Sequence, residues 1–324
     1  KSDLLISDVF ELLSQDLYPK DPFNASMSEW SVTGAEYLLQ VNSDNTSVIV
    51  KLYAVKDGSE LLYRSFSPFV SKEDTAHEIS SSIYERLTGS KGIFKTKIIA
   101  VCKDKNGFKN LFMMDYDGRR LKPITEHKTL CLSPAISPDA QNVAYTVYAS
   151  KRIRGQGNIM VQELRIRNIK TGKETVVVGG TGQSSGVTWS SDGQKLAFTY
   201  SGNGDPDIYL YDIDTKKMSP LVTNRGLDVE PSFSPDGKFV VFSSSKSGNP
   251  ELYKMDLNTK EQTRLTFNRH YNSSPEWSPD GGSIVFAGLD NPFGKRSYFD
   301  IFVIDPSATK IDRFTIDNGN NEDP

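Results

Sequence analysis

Apolar residues at helical spacing open the chain. Ile6, Val9, Phe10, Leu13 and Leu17 predict a helix over Asp3–Leu17, and Ala76, Ile79, Ile83 and Leu87 predict another over Lys72–Leu87. The second has Ser71 three residues ahead of Asp74, an entry like a capping box, and Gly89 just past its end. Between the helices, Tyr37–Val41, Val48–Val55 and Leu61–Phe66 alternate as strands do, the last two joined across Asp57-Gly58, a hairpin dipeptide. Together these predict a small two-layer α/β domain over residues 1–92.

Downstream the pattern becomes a repeat. Ser137–Ala140, Ser190–Gly193, Ser234–Gly237 and Ser278–Gly281 read Ser-Pro-Asp-Gly or a near variant, and their aspartates, Asp139, Asp192, Asp236 and Asp280, lie 53, 44 and 44 residues apart. A second series keeps step with the first: an apolar pair followed by Asp115, Asp212, Asp256 or Asp305, with Asn168 in the remaining slot. Ser-Pro-Asp-Gly has the chemistry of a type I turn, with Pro presetting φ and Gly relieving the exit, so it closes a hairpin. Ile136, Trp189, Phe233 and Trp277 precede the turns, and runs such as Val240-Val241-Phe242 follow them. Each unit resolves into four short strands, and units of about 44 residues with four strands predict β-propeller blades. The longer intervals coincide with insertions at Ala149–Asn158 and Asn291–Phe299. The expected fold is therefore an α/β N-terminal domain followed by an all-β propeller over residues 93–324, with five blade units. It would be of the six-bladed type, the sixth blade absent from this chain and closure incomplete.

Composition excludes several classes. The chain has 324 residues, a net charge of −3, a pI near 5.8 and a mean hydropathy of −0.45, which argues against a strongly basic nucleic-acid binder. No apolar run approaches the roughly 20 residues a membrane helix needs. The chain opens on Lys1 without a recognisable targeting segment, and reads as processed or trimmed. Cys102 and Cys131 are too few for a disulfide framework and lack zinc-site spacing. The topology directs both toward one face, where an oxidising compartment would permit a bridge, but unpaired thiols are the more economical reading.

Three stretches in the first domain carry a resemblance: Trp30–Val41 with Gly34-Ala35-Glu36-Tyr37-Leu38, Ala76-His77-Glu78-Ile79 running to Tyr84-Glu85-Arg86-Leu87-Thr88-Gly89, and Gly92-Ile93-Phe94-Lys95-Thr96-Lys97-Ile98. Joined to the Ser-Pro-Asp repeats, they resemble the TolB family, periplasmic components of the bacterial Tol-Pal system, over essentially the whole chain. The sequence departs from that pattern at both ends: it lacks the leading strand with its extended segment, and it lacks the sixth blade. The resemblance implies a periplasmic, non-enzymatic adaptor without cofactor or metal, expected to be a monomer. It would bind the peptidoglycan-associated lipoprotein Pal through its propeller and help maintain outer-membrane integrity. TolA and colicins are further partners the resemblance implies.

The loops joining a fourth strand to the next first strand gather on one face of a propeller and offer a docking surface. Here they are Glu126–Leu132, Gly180–Ser185, Asn224–Glu230, Asn268–Ser273 and Asp317–Asp323. The candidate partner-binding residues are His127, Gln183, Ser184, Arg225, Asp228, Glu230, His270, Tyr271 and Asn272. Arg and Tyr are frequent interface anchors, although any one of these residues alone could be an ordinary solvated loop residue.

Other motifs favour bland readings. Gly182-Gln183-Ser184-Ser185-Gly186 matches a nucleophile elbow, but an elbow needs a following helix, and Val187–Asp192 reads as a blade strand. His127 and His270 with Glu230 could share a metal, but no short ligand spacing supports it. Asn203-Gly204-Asp205-Pro206-Asp207 reads as a hairpin turn rather than a calcium loop. Lys151, Arg152, Arg154, Arg165, Arg167 and Lys170 read as a solvated basic face that could also meet an acidic partner. Two alternatives to the adaptor are the propeller domain of a hydrolase or lyase, and a general peptide-binding propeller.

Overall fold

The computed structural model describes residues 2–67, 71–153, 157–180, 182–202, 204–267, 271–289, 298–315, 319 and 321. The chain divides into two compact units, residues 1–98 with 113–122, and residues 99–112 with 123–324.

In the first unit, α1 (Ser2–Ile6) and α2 (Met27–Val32) precede an antiparallel sheet in the order β1 (Tyr37–Ser43), β2 (Val48–Ala54), β3 (Glu60–Phe66). Helix α3 (Lys72–Thr88) follows, started by the Ser71 hydroxyl oxygen, which accepts from the Asp74 amide at 3.0 Å. Leu4 of α1, Leu52 of β2 and Ile83 of α3 make the core, with Ile79 and Leu87 against them. The long first helix expected over Asp3–Leu17 is not formed. It stops at Ile6, Asp8 turns the backbone left-handed (φ +52°), and only a single 3-10 turn, Gln15–Leu17, follows. The Ser7 hydroxyl takes the Leu4 carbonyl at 2.6 Å, the acceptor that the helix ladder would use next. Phe10 still packs against this core and edge-on to Tyr84, but Val9 and Leu17 are about half exposed, so the periodic face is buried only in part, and packing is what sustains a short helix.

A second three-stranded sheet, in the order β4 (Lys97–Lys103), β5 (Lys109–Asp115), β6 (Lys122–Pro123), leads into the repeat. Four antiparallel four-stranded sheets follow, each with its strands in chain order. They are β7 (Cys131–Ile136), β8 (Asn142–Ile153), β9 (Gly157–Asn168) and β10 (Glu174–Gly180); then β11 (Ser184–Trp189), β12 (Lys195–Tyr200), β13 (Asp207–Asp212) and β14 (Met218–Val222). The next are β15 (Asp228–Phe233), β16 (Phe239–Ser244), β17 (Glu251–Asp256) and β18 (Gln262–Arg264); then β19 (Tyr271–Trp277), β20 (Ile284–Leu289), β21 (Asp300–Ile304) and β22 (Ile311–Arg313). The first strands β7, β11, β15 and β19 lie beside one another in that order, as the inner strands of propeller blades do.

The cores lie between successive sheets, and they repeat. The earlier sheet contributes smaller residues, as with Ala197, Ile208 and Val222 or Val241, Leu252 and Leu265. The later one contributes aromatics: Trp189 and Phe198, Phe233 and Phe242, Trp277 and Phe286. The turns repeat as closely. In each, the Ser hydroxyl donates to the Asp carboxylate at 2.5–2.6 Å (Ser137, Ser190, Ser234, Ser278), and its oxygen accepts a backbone N–H five residues on at 2.9 Å. The fourth position is left-handed in all four, at Ala140 (φ +55°), Gly193 (+70°), Gly237 (+69°) and Gly281 (+72°).

Candidate functional site

Each inner strand carries a bulge four residues before its turn serine. The residue there is left-handed every time: Ser133 (φ +49°), Gly186 (+55°), Glu230 (+56°) and Ser274 (+49°). Three of the four are not glycine, and a left-handed residue with a Cβ costs roughly 1–2 kcal/mol, so the packing of neighbouring strands must hold it in place. The holding contacts are present. A Cβ on Gly186 would sit 3.1 Å from the Glu230 Cα, and the Glu230 carboxylate accepts the Ser274 amide at 2.7 Å, tying β15 to β19. Bulges re-aim a strand and its loop, and they gather at rims and sites. Sequence reasoning singled out Glu230 as a loop residue and missed the set, because Ser, Gly, Glu and Ser share no chemistry. Only their fixed offset from the turn serine marks them.

The other candidate residues divide by burial. Gln183 and Arg225 are exposed. Tyr271 is 38% exposed, with its ring edge-on to Phe299 at 5.5 Å. Ser184, Asp228 and Asn272 are buried, so their side chains are internal rather than presented to a partner. The Asp228 carboxylate accepts both the amide (2.5 Å) and the side-chain Nδ2 (3.1 Å) of Asn224, holding the loop before β15. Asn272 Nδ2 donates to Glu251 at 2.9 Å. His270 lies outside the described residues.

His127 is half-buried and engaged. Its Nε2 lies 3.0 Å from the Tyr145 hydroxyl, which donates to Glu174 at 2.8 Å. Burial pushes the imidazole's pKa down despite the nearby Glu174 carboxylate. The same Glu174 takes Arg165 (2.9 Å) and Arg167 (2.7 Å), while Glu163 takes Arg165 (2.7 Å) and Lys151 (2.8 Å). Half of the expected basic face is thus folded onto two glutamates. Arg152 and Lys170 remain exposed, and Arg154 lies outside the described residues.

The elbow geometry is absent from the Gly-x-Ser-x-Gly stretch. Ser184 opens strand β11 with 1% exposure, and the chain continues as strand to Trp189. Cys102 and Cys131 are both free, and burial pushes the Cys131 thiol up to about 11. Asp207 opens β13, its carboxyl pushed up by burial and by Asp228 and Asp205. Among the described residues, one group brings metal-type ligand atoms within 4.8 Å of one another: His77, Asp115 and Asp117, in the first unit. Its acids are already engaged. Asp115 receives Lys97 and Arg120 at 2.6 Å each, and Asp117 pairs with Arg119 at 3.4 Å. Against the upward push of burial, Lys97 and Arg120 hold the Asp115 carboxyl down at about 2. Three cations on these two acids make an ion-pair network, not a vacant cradle for a metal.

Known proteins agree with this architecture. The TolB β-propeller domain family matches residues 84–324. The Tol-Pal system protein TolB of Rickettsia rickettsii is 37% identical over 131 residues, which is 40% of this chain and 28% of that relative's length. Among solved structures, TolB from Acinetobacter baumannii superposes with a TM-score of 0.85 at 26% identity, covering 99% of this chain and 79% of that one. A puromycin-hydrolyzing peptidase of Mycobacterium tuberculosis shares the fold alone, with a TM-score of 0.54 at 14% identity over 87% of this chain and 44% of that one. Among the described residues, no helix is long and apolar enough to cross a membrane. With its repeated sheets, bulged inner strands and a family match across most of its length, the chain belongs to the TolB β-propeller family.

Proposed function

We propose that this chain acts as the TolB-type adaptor of a Tol-Pal system, binding a Pal-like peptidoglycan-associated lipoprotein in the periplasm and so helping to maintain the outer membrane. The observation that carries the reading is the likeness, over 99% of the chain, to TolB of Acinetobacter baumannii. The 37% identical stretch of a Rickettsia protein itself named for the Tol-Pal system supports it. In this reading the blades belong to a ring of the six-bladed type, preceded by an α/β domain over residues 1–92, and the chain works as a monomer without catalysis. TolA and colicins would be its further partners.

The docking face is the set of loops leading into the inner strands. Arg225, Gln183 and Tyr271 are its exposed anchors, while Asp228, Glu230 and Asn272 brace the strands beneath. A rigid platform suits docking because little ordering entropy is lost on binding. Calorimetry of the full chain against the soluble domain of the cognate lipoprotein tests the reading. Saturable binding is expected, weakened at least about tenfold (~1.4 kcal/mol) when Arg225, Gln183 and Tyr271 are all changed to Ala. No binding by the folded wild-type chain overturns it.

A further inference from the structure

The second and third strands of the first four-stranded sheet are twice as long as their counterparts. β8 and β9 have 12 residues each, whereas β12, β13, β16 and β17 have 6. They pair without a break from Asn142↔Asn168 to Ile153↔Gly157, but β7 pairs no further than Val147 and β10 no further than Gln162. Residues 148–153 and 157–161 therefore form a two-stranded ribbon that runs about 20 Å past the sheet at the usual rise of a strand. We propose that the edge of this ribbon on the β7 side takes up an extended, acidic segment of a protein partner as a third strand.

The backbone leaves that edge open. The sheet order is β10-β9-β8-β7, so beyond Val147 the β7 side of β8 loses its neighbour. Tyr148 N–H finds the Leu130 carbonyl at 3.0 Å, and residues 149–153 have no backbone partner on that side among the described residues. A two-stranded ribbon is marginal in water and gains from a third strand. Its row of unpaired N–H and C=O groups is what an added strand binds.

Charge selects the strand. From Tyr148 to Gln162 the sequence holds Lys151, Arg152 and Arg154 and no acid, in a chain whose net charge is −3. Lys151 turns back to Glu163 at 2.8 Å. Arg152 lies on the opposite face with Ser150, Asn158 and Met160, all four exposed, and among the described residues Arg152 makes no ion pair. Pairing two such ribbons would set like charges side by side, which disfavours a second copy of the chain as the occupant. A strand with Asp or Glu opposite Arg152 meets complementary charge instead.

The ribbon rises beside the loops that lead into the inner strands. Leu130, which takes the Tyr148 amide, belongs to the loop before β7, and the Gln162 side-chain oxygen accepts the amide of Ser184, the first residue of β11, at 2.9 Å. A partner seated on those loops has the open edge of β8 within reach. For the identity of that partner the inference rests on the docking reading above.

Calorimetry of the full chain with the soluble domain of the cognate lipoprotein reads the charge. Arg152→Glu should weaken binding at least about tenfold at low salt, with the loss shrinking at high salt, and Arg152→Lys should stay within about twofold of the wild type. Amide exchange of the same complex reads the strand: amides among residues 149–153 that point away from β9 should gain at least about tenfold protection. Equal affinity in Arg152→Glu and wild type, an equal loss in Arg152→Lys, or unchanged protection overturns the proposal and leaves the docking face standing. If the wild-type chain does not bind the lipoprotein, the docking reading falls, and a short peptide of alternating Glu and Val becomes the probe. Backbone NMR shifts confined to the open edge of β8 and lost in Arg152→Glu then uphold the proposal, and their absence overturns it.

Discussion

Sheets β15–β18 and β19–β22 are built from the same repeat, yet among the described residues one is covered on a face that is exposed in the other. In the first, Val241, Leu252 and Leu265 are buried, Leu265 to 2% exposure, against the aromatics of the next sheet. In the second, the equivalent Val285 and Ile301 are only half-buried, and Phe314, in the place of Leu265, is 77% exposed. The backbone does not register the difference. Leu265 N–H bonds Leu252 O at 2.8 Å, and Phe314 N–H bonds Ile301 O at 2.8 Å. A blade therefore forms its own ladder but borrows its burial from the following neighbour, as expected of repeats that cannot cover their apolar face alone.

The largest effect should separate these two positions. Leu265→Ala removes a packed side chain and should cost about 3 kcal/mol in urea unfolding, within the usual range for core leucines. Phe314→Ala should cost less than about 0.5 kcal/mol, as surface changes do. Equal losses at the two sites would break the comparison, because they would mean that something covers Phe314 as the fourth sheet covers Leu265.

A smaller difference should appear at a buried polar staple that both sheets carry. The Thr266 hydroxyl oxygen accepts Leu252 N–H at 2.9 Å while its proton goes to Glu251, which Arg264 and Asn272 also hold. Thr315 repeats this with Ile301 N–H at 2.9 Å and Asp300 at 3.0 Å, beside Arg313. Thr266 is 1% exposed and Thr315 is half-buried. Thr266→Val should cost about 2 kcal/mol, since it strands a buried N–H and a carboxylate oxygen, and Thr315→Val about 0.5–1 kcal/mol, because water can replace the hydroxyl. The same denaturation assay reads both.

What the sequence made legible follows the same division between local and borrowed. The turns, the four-strand units and the recurring positions of Asp212 and Asp256 were readable because each is fixed by chemistry within a few residues. The helix expected over Asp3–Leu17 was misread because its apolar period is real but only Phe10 of the later positions packs on the core, while Ser7 and Asp8 end the ladder. Ser184, Asp228 and Asn272 looked like presented loop residues. They are buried because the strand begins at or near them, and a strand's first residue belongs to the sheet rather than to the loop before it. The inner-strand bulges left no residue-type signature, since neighbouring strands impose them.

Effects smaller than those at Leu265 and Thr266 belong to the turns, and these should ignore the neighbour altogether. Ala140 holds the left-handed position that Gly193 and Gly281 fill elsewhere. A Cβ at Gly193 would meet nothing closer than the Pro138 Cδ at 3.7 Å, and one at Gly281 nothing closer than the Pro235 Cδ at 3.8 Å. Space is thus no obstacle, and only backbone conformation distinguishes Gly from Ala there. The left-handed penalty for Ala exceeds the entropy Gly loses on folding, so Ala140→Gly should stabilise by about 0.5–1 kcal/mol. Gly193→Ala and Gly281→Ala should each destabilise by the same amount. Because the turn's hydrogen bonds are internal, the turn of sheet β11–β14, which the next sheet covers, and that of sheet β19–β22 should respond alike. Thermal unfolding of the three variants checks this, and a Gly281→Ala loss well below that of Gly193→Ala would show that even the turns depend on the adjoining blade.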